Sequence, residues 1–110
     1  GVTVTSYRDL HKIADLPLYG KRFISFEPLL GSADPRLRPV KCAVPWIDWA
    51  IIGAETGPGA SARRPRREWV EEIVSYCDET GVPVFMKDSL LPVVGTEGMR
   101  RDFPDPLMWI

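Results

Sequence analysis

The sequence predicts an α/β fold, a parallel βα half-barrel of the TIM-barrel kind with four strands and about three helices. Three observations predict it. Short apolar, β-branched runs alternate with helix-forming stretches along the chain. Each predicted strand is apolar in its body and polar at its carboxyl end, and those ends read Thr5-Ser6, Ser25-Phe26-Glu27, Gly53-Ala54-Glu55-Thr56 and Lys87-Asp88. Finally, the apolar run at Ile47 to Ile52 breaks into a glycine-rich loop, then a run of arginines, then a helix start near Trp69. Strand, glycine loop and helix N-terminus is the order in which α/β proteins build anion and cofactor sites. The spacing is neither G-x-G-x-x-G nor a Walker loop, so it marks a site without naming the ligand.

Val2 to Thr5 carries β-branched residues throughout and suits a strand. Asp9 is placed to cap a short helix whose apolar stripe is Leu10, Ile13, Ala14 and Leu16, stopped by Pro17 and Gly20. Arg22 to Glu27 reads as the second strand, with Phe23, Ser25 and Glu27 on one face and Ile24 and Phe26 on the other. Pro28 ends it. From Leu29 to Trp46 the prolines at 35, 39 and 45 forbid a long helix, leaving room for one turn at Asp34 to Leu37. Trp49 to Ala54 is the third strand, apolar throughout and expected to be covered on both faces, with Ile51 and Ile52 both buried. Trp69, Val70, Ile73, Val74 and Cys77 fall at helical spacing from about Arg67 to Thr80, opposite an acidic face, and Gly81 suits a left-handed C-terminal cap. Val82 to Lys87 is the fourth strand. Residues 89–110 read as a loop-rich tail, tied down by Phe103, Leu107, Met108 and Trp109.

At 110 residues the chain is a single α/β domain. It opens directly in strand-like sequence and reads as a chain cut out of something longer. A lone four-stranded half exposes two parallel edges, so either a missing half elsewhere in the parent chain or a second copy of the chain, in a homodimer, is the expected partner. The formal charge of −1 gives no global attraction to nucleic acid or membrane. No run is long enough to span a membrane, and a cytoplasmic protein with reduced thiols is the default. Cys42, Cys77 and His11 cannot make a thiolate metal site, so no metal is expected on this chain.

Within that frame the strand ends are the candidate site. Glu27 and Glu55 can act as a carboxylate pair or grip a cationic group, while Lys87 can neutralise one of them or hold an anion. Ser25 and Thr5 face the same end. The plainer alternative makes Glu27–Lys87 a structural ion pair. Gly53, Gly57 and Gly59 bare backbone N–H groups for a phosphate, carboxylate or ribose, unless they serve only a tight turn. Arg63 and Arg64, with Arg66 and Arg67, can pair with phosphates of a nucleotide or nucleic acid, unless they are merely a solvated loop. His11 reads as solvated, Cys77 as core, and Trp46, Trp49 and Trp69 as packing around the central loop.

Three stretches also carry a resemblance: Arg22-Phe23-Ile24-Ser25-Phe26-Glu27-Pro28-Leu29-Leu30-Gly31, Ile47 through Gly59, and Trp69-Val70 with Gly81-Val82-Pro83-Val84-Phe85-Met86-Lys87. Their order and spacing over residues 2–88 resemble the C-terminal half of the phage Gp37/Gp68 family, a group related to radical S-adenosylmethionine enzymes. The resemblance implies a barrel whose N-terminal half carries a three-cysteine iron–sulfur motif. This chain lacks that motif, so S-adenosylmethionine and an Fe–S cluster belong to a longer parent, and the chain alone binds neither. Glu27, Gly53, Glu55, Gly57 and Lys87 fall on the family's motif positions as substrate- or cofactor-facing groups. Two expectations follow. One is an enzyme fragment lining part of a cofactor or substrate cavity; the other is a stand-alone dimerising module that binds a nucleotide or nucleic acid through the glycine- and arginine-rich loop.

Overall fold

The computed structural model describes residues 1–17, 20–37 and 47–105. The irregular connection through Pro39 and Pro45, with Cys42 and Trp46, lies outside the described residues, as does the anchoring expected of Leu107, Met108 and Trp109. The four strands are β1 (Val2–Thr3), β2 (Phe23–Phe26), β3 (Trp49–Ile52) and β4 (Val84–Met86). They form one all-parallel sheet in the order β1-β2-β3-β4. Sequence order equals spatial order, the signature of a barrel wall wound one βα unit at a time.

A 3₁₀ helix at Tyr7–Asp15 follows β1. Its cap is Ser6, whose hydroxyl accepts from the Arg8 N–H. Asp9, expected as the cap, lies inside the first turn and reaches back instead. Its carboxylate accepts from the Thr5 N–H at 2.9 Å and the Thr5 hydroxyl at 2.7 Å. These two bonds, one from the Thr5 backbone and one from its hydroxyl, and the Lys12 ammonium hold the Asp9 carboxyl down at about 2, with the Thr5 N–H the largest cause. A single turn at Pro35–Leu37 matches the expected one. Helix α1 (Arg67–Thr80) occupies the predicted span and ends at Gly81, whose φ of 73° places it in the left-handed region.

Beyond β4 the sequence reading fails. Instead of loop, a 3₁₀ turn at Asp88–Leu90 leads into helix α2 (Leu91–Gly98). Pro92 is tolerated because it falls in the first turn, where its missing N–H costs nothing. Gly95, at φ 73° and ψ 170°, interrupts the helix and splits it into two short pieces. Leu90 and Val94 nonetheless bury their side chains one turn apart.

Helices cover one face of the sheet. Ile24, Phe26, Ala50, Ile52, Val84 and Met86 are buried there with Leu10 and Ile13, with Val70 and Ile73 of α1, and with Leu90 and Val94. The other face carries Phe23, Ser25, Trp49, Ile51 and Phe85, all half-buried. The expectation that β3 is covered on both faces is therefore corrected. Ile52 is fully buried, whereas Ile51 is only partly so. A continuous apolar run reads the same whether the second face is packed or merely greasy, so the sequence could not distinguish them. That second face is partly shielded by Trp49, Phe85 and Phe103, with ring centroids 5.3–6.1 Å apart. The Trp49 indole N–H donates to the Asp102 carbonyl at 3.0 Å.

Of the two open edges expected of a half-barrel, one is covered among the described residues. Residues 100–102 lie antiparallel along the outer side of β4, where Phe85 bridges Arg101. The Met86 N–H donates to the Arg100 carbonyl and the Asp102 N–H donates to the Val84 carbonyl, each at 2.8 Å. Arg100 pins this cover by pairing with Asp78 of α1 at 3.0 Å and with Asp102 at 2.8 Å. Arg101 pairs with Asp88 and lies over the Phe85 ring. Two backbone bonds in a two-residue pairing leave no periodicity for a sequence to reveal. No described helix is long and apolar enough to cross a membrane.

Candidate functional site

The parallel register decides which side chains meet. Phe26 pairs with Ile52 and Ile52 with Met86, so the next row at the carboxyl end is Glu27, Gly53 and Lys87. β2 and β4 are separated by β3, so Glu27 and Lys87 stand two strand spacings apart, about 9–10 Å between backbones. They still meet, with Lys87 Nζ 2.7 Å from Glu27 Oε2. The pair passes over Gly53. A Cβ on that residue would stand 3.0 Å from Glu27 Cδ and 3.1 Å from its Oε1. Gly53 is thus a glycine for clearance, while the left-handed φ of 100° at Gly57 and 76° at Gly59 makes those two the turn formers. The Glu27–Pro28 peptide is cis.

Glu55 does not join Glu27 as a carboxylate pair. It turns to Arg63, whose Nε and Nη2 both donate to its two oxygens, the latter at 3.1 Å. That hydrogen bonding, helped by the opposite charges and outweighing the opposing effect of desolvation, holds the Glu55 carboxyl below its usual range and raises Arg63. Each acid therefore has its own cation, so an acid/base dyad of Glu27 and Glu55 is not formed. Ser25 lies on the half-buried face one register step below the Glu27 row. Thr5 is also at that end, but its hydroxyl is engaged by Asp9.

The arginine run resolves residue by residue. Arg63 serves Glu55, Arg66 lies 5.8 Å over the Trp69 ring, and Arg67 pairs with Glu71 at 2.9 Å. Arg64 is exposed and has no partner among the described residues. It borders a cleft of about 260 Å³ together with Glu55, Thr56, Gly57, Ser61 and Ser89. Ser89, which the sequence reading passed over, accepts the Ala54 N–H at 2.9 Å and so fixes the loop exit. Its signal was its place two residues past Lys87, at the same sheet end. Cys77 is buried in the stripe of α1, and burial pushes its thiol up to about 12, so it is core as expected. His11 is exposed, its Nδ1 2.9 Å from the Arg8 carbonyl.

An all-parallel sheet, polar groups gathered at one end of its strands and one face left free of helices define the class: a parallel βα protein with a strand-end site. Over residues 1–90 the chain matches the family described as protein of unknown function (DUF5131), and it belongs to that family. The match takes in all four strands, the Glu27–Gly53–Lys87 row and the glycine loop, and it stops before the cover at 100–102. Neither a curated protein nor a solved structure matches the chain.

Proposed function

We propose that this chain is the C-terminal half of a phage-related, radical-SAM-like barrel protein and forms one wall of its substrate or cofactor cavity. The observation that carries this reading is the row Glu27–Gly53–Lys87. It sets an ion pair at the carboxyl ends of β2 and β4, on the sheet face that the helices leave uncovered. In a βα barrel that face is the interior and that end is where ligands bind. The second sheet face is apolar enough to pack against further strands, and a half-barrel needs such strands to enclose a cavity.

The residues here do not fit an iron–sulfur cluster. The chain has two cysteines where a three-cysteine motif is required, and Cys77 is buried in α1. Any cluster is held by the remainder of the parent protein, and this chain contributes charge and shape. Glu27 can hold a cationic group of the ligand and Lys87 an anionic one, each exchanging its present partner for the ligand. Ser25 can donate or accept beside them. A cytoplasmic location fits such chemistry.

The test uses the longer protein that contains this chain, with S-adenosylmethionine as probe. Glu27→Gln and Lys87→Met are each expected to weaken binding or turnover about tenfold or more while leaving the circular dichroism spectrum unchanged. Full activity in both variants would remove the row from the site. Light scattering of the isolated chain is the companion measurement: a monomer fits the half-barrel reading, whereas a stable dimer favours a self-sufficient module.

A further inference from the structure

We infer that the cleft beside Arg64 is an oxyanion site that takes a phosphate group, bound by the Arg64 guanidinium and the hydroxyls of Thr56, Ser61 and Ser89. The charges first narrow the choice. Glu55, the acid bordering the cleft, has both oxygens occupied by Arg63. The Glu55–Arg63 pair is neutral as a unit, so Arg64 leaves the cleft with one uncompensated positive charge. Of the four arginines at 63 to 67, three are committed to partners, and Arg64 alone has none among the described residues.

The donors point the same way. A guanidinium offers five N–H groups, enough to bind a phosphate in a fork and still face water. Ser89 Oγ accepts from the Ala54 N–H, which leaves its own hydrogen to donate. The hydroxyls of Thr56 and Ser61 border the same space and have no partner among the described residues. Gly57, held at φ 100°, has no heavy atom within 4 Å of where a Cβ would sit, so the loop opens to solvent beside these donors. The volume sets the ligand's size. About 260 Å³ falls below the ~300–1,000 Å³ of pockets that enclose a drug-sized ligand, so the cleft suits a phosphate or a small phosphorylated head. This inference uses none of Glu27, Gly53 or Lys87 and stands apart from the barrel reading.

The experiment is an amide-resolved NMR titration of the chain with inorganic phosphate at constant ionic strength, with acetate and glycerol phosphate as parallel probes. Phosphate is expected to shift the Thr56, Gly57, Ser61 and Ser89 amides saturably. Arg64→Ala is expected to weaken binding about tenfold, and Ser61→Ala about threefold, while Arg67→Ala has no effect. Tighter binding of glycerol phosphate would assign the site to a phosphorylated small molecule, and equal binding would assign it to the free ion. Non-saturating shifts, equal affinity for acetate, or an equal loss in Arg67→Ala would overturn the inference, the last by showing a diffuse effect of charge. Both arginines are exposed, and the dispersion of the spectrum itself reports whether each variant remains folded.

Discussion

Gly53 lies directly under Glu27, so close that a Cβ there would stand 3.0 Å from the carboxyl carbon. The bridge from Glu27 to Lys87 exists because the residue between them has no side chain. In a double-mutant cycle, Glu27 and Lys87 should couple by about 0.5 kcal/mol, given that both are partly solvated. The same cycle in a Gly53→Ala background should give no coupling, because the methyl displaces the Glu27 carboxylate. Retained coupling there would show that the bridge can bypass position 53. The substitution itself should cost about 1 kcal/mol, since a flexible acid rather than backbone must give way.

Ile51 and Ile52 are neighbours in sequence and opposites in environment. Ile52→Ala should destabilise the chain by about 3 kcal/mol, as a fully buried position does, and Ile51→Ala by about 1 kcal/mol. Urea unfolding measures both. An Ile51 cost equal to that of Ile52 would mean that something covers the second face in solution.

Asp9 gives a pH signature with a definite sign. Its folded-state value of about 2 lies below the unfolded 3.8, so its contribution is complete above pH 4 and is lost as pH falls through 2. Asp9→Ala should cost about 1–2 kcal/mol at neutral pH, through loss of the Thr5 bonds. The difference between variant and parent should shrink toward zero below pH 2; a gap constant with pH would place the cost in packing instead.

Glu55 makes a contrasting case. Its bond to Arg63 is on the surface, so Glu55→Ala should leave the thermal midpoint within about 2 °C of the parent. A larger drop on calorimetry would make the pair a structural clasp for the loop. By the charge argument above, the same variant should bind phosphate no more weakly than the parent.

These expectations separate what the chain's letters reveal from what only its packing reveals. The four strands, α1 and its Gly81 cap were legible, because period-2 and period-3.6 patterns record which face is buried. The Glu27–Lys87 pair was legible as one of two alternatives, since both residues sit at polar strand ends. The division of labour among the arginines was not. Which of 63, 64, 66 and 67 finds an acid depends on loop geometry, which leaves no period in the sequence. α2 was hidden by Pro92, Gly95 and Gly98, residues that signal a loop unless Leu90 and Val94 are weighed as a buried pair one turn apart.

Arg100 offers a way to loosen one end of the sheet without touching its core. Arg100→Ala removes the pairs to Asp78 and Asp102 and should speed hydrogen exchange at the Asp102 and Met86 amides about fivefold or more. Exchange at Ile52 should not change. Uniform acceleration across the sheet would instead indicate global destabilisation.

The cover at residues 100–102 gives the sheet a direction of growth. Its β4 side is covered by that segment, whereas among the described residues no strand lies beside Val2 and Thr3, at the β1 end. A strand added to the described sheet therefore meets a free edge at β1 and an occupied one at β4, like a zipper with its stop already fitted. A ring that closes onto β4 requires this stop to come off, and an arc that ends at β4 does not.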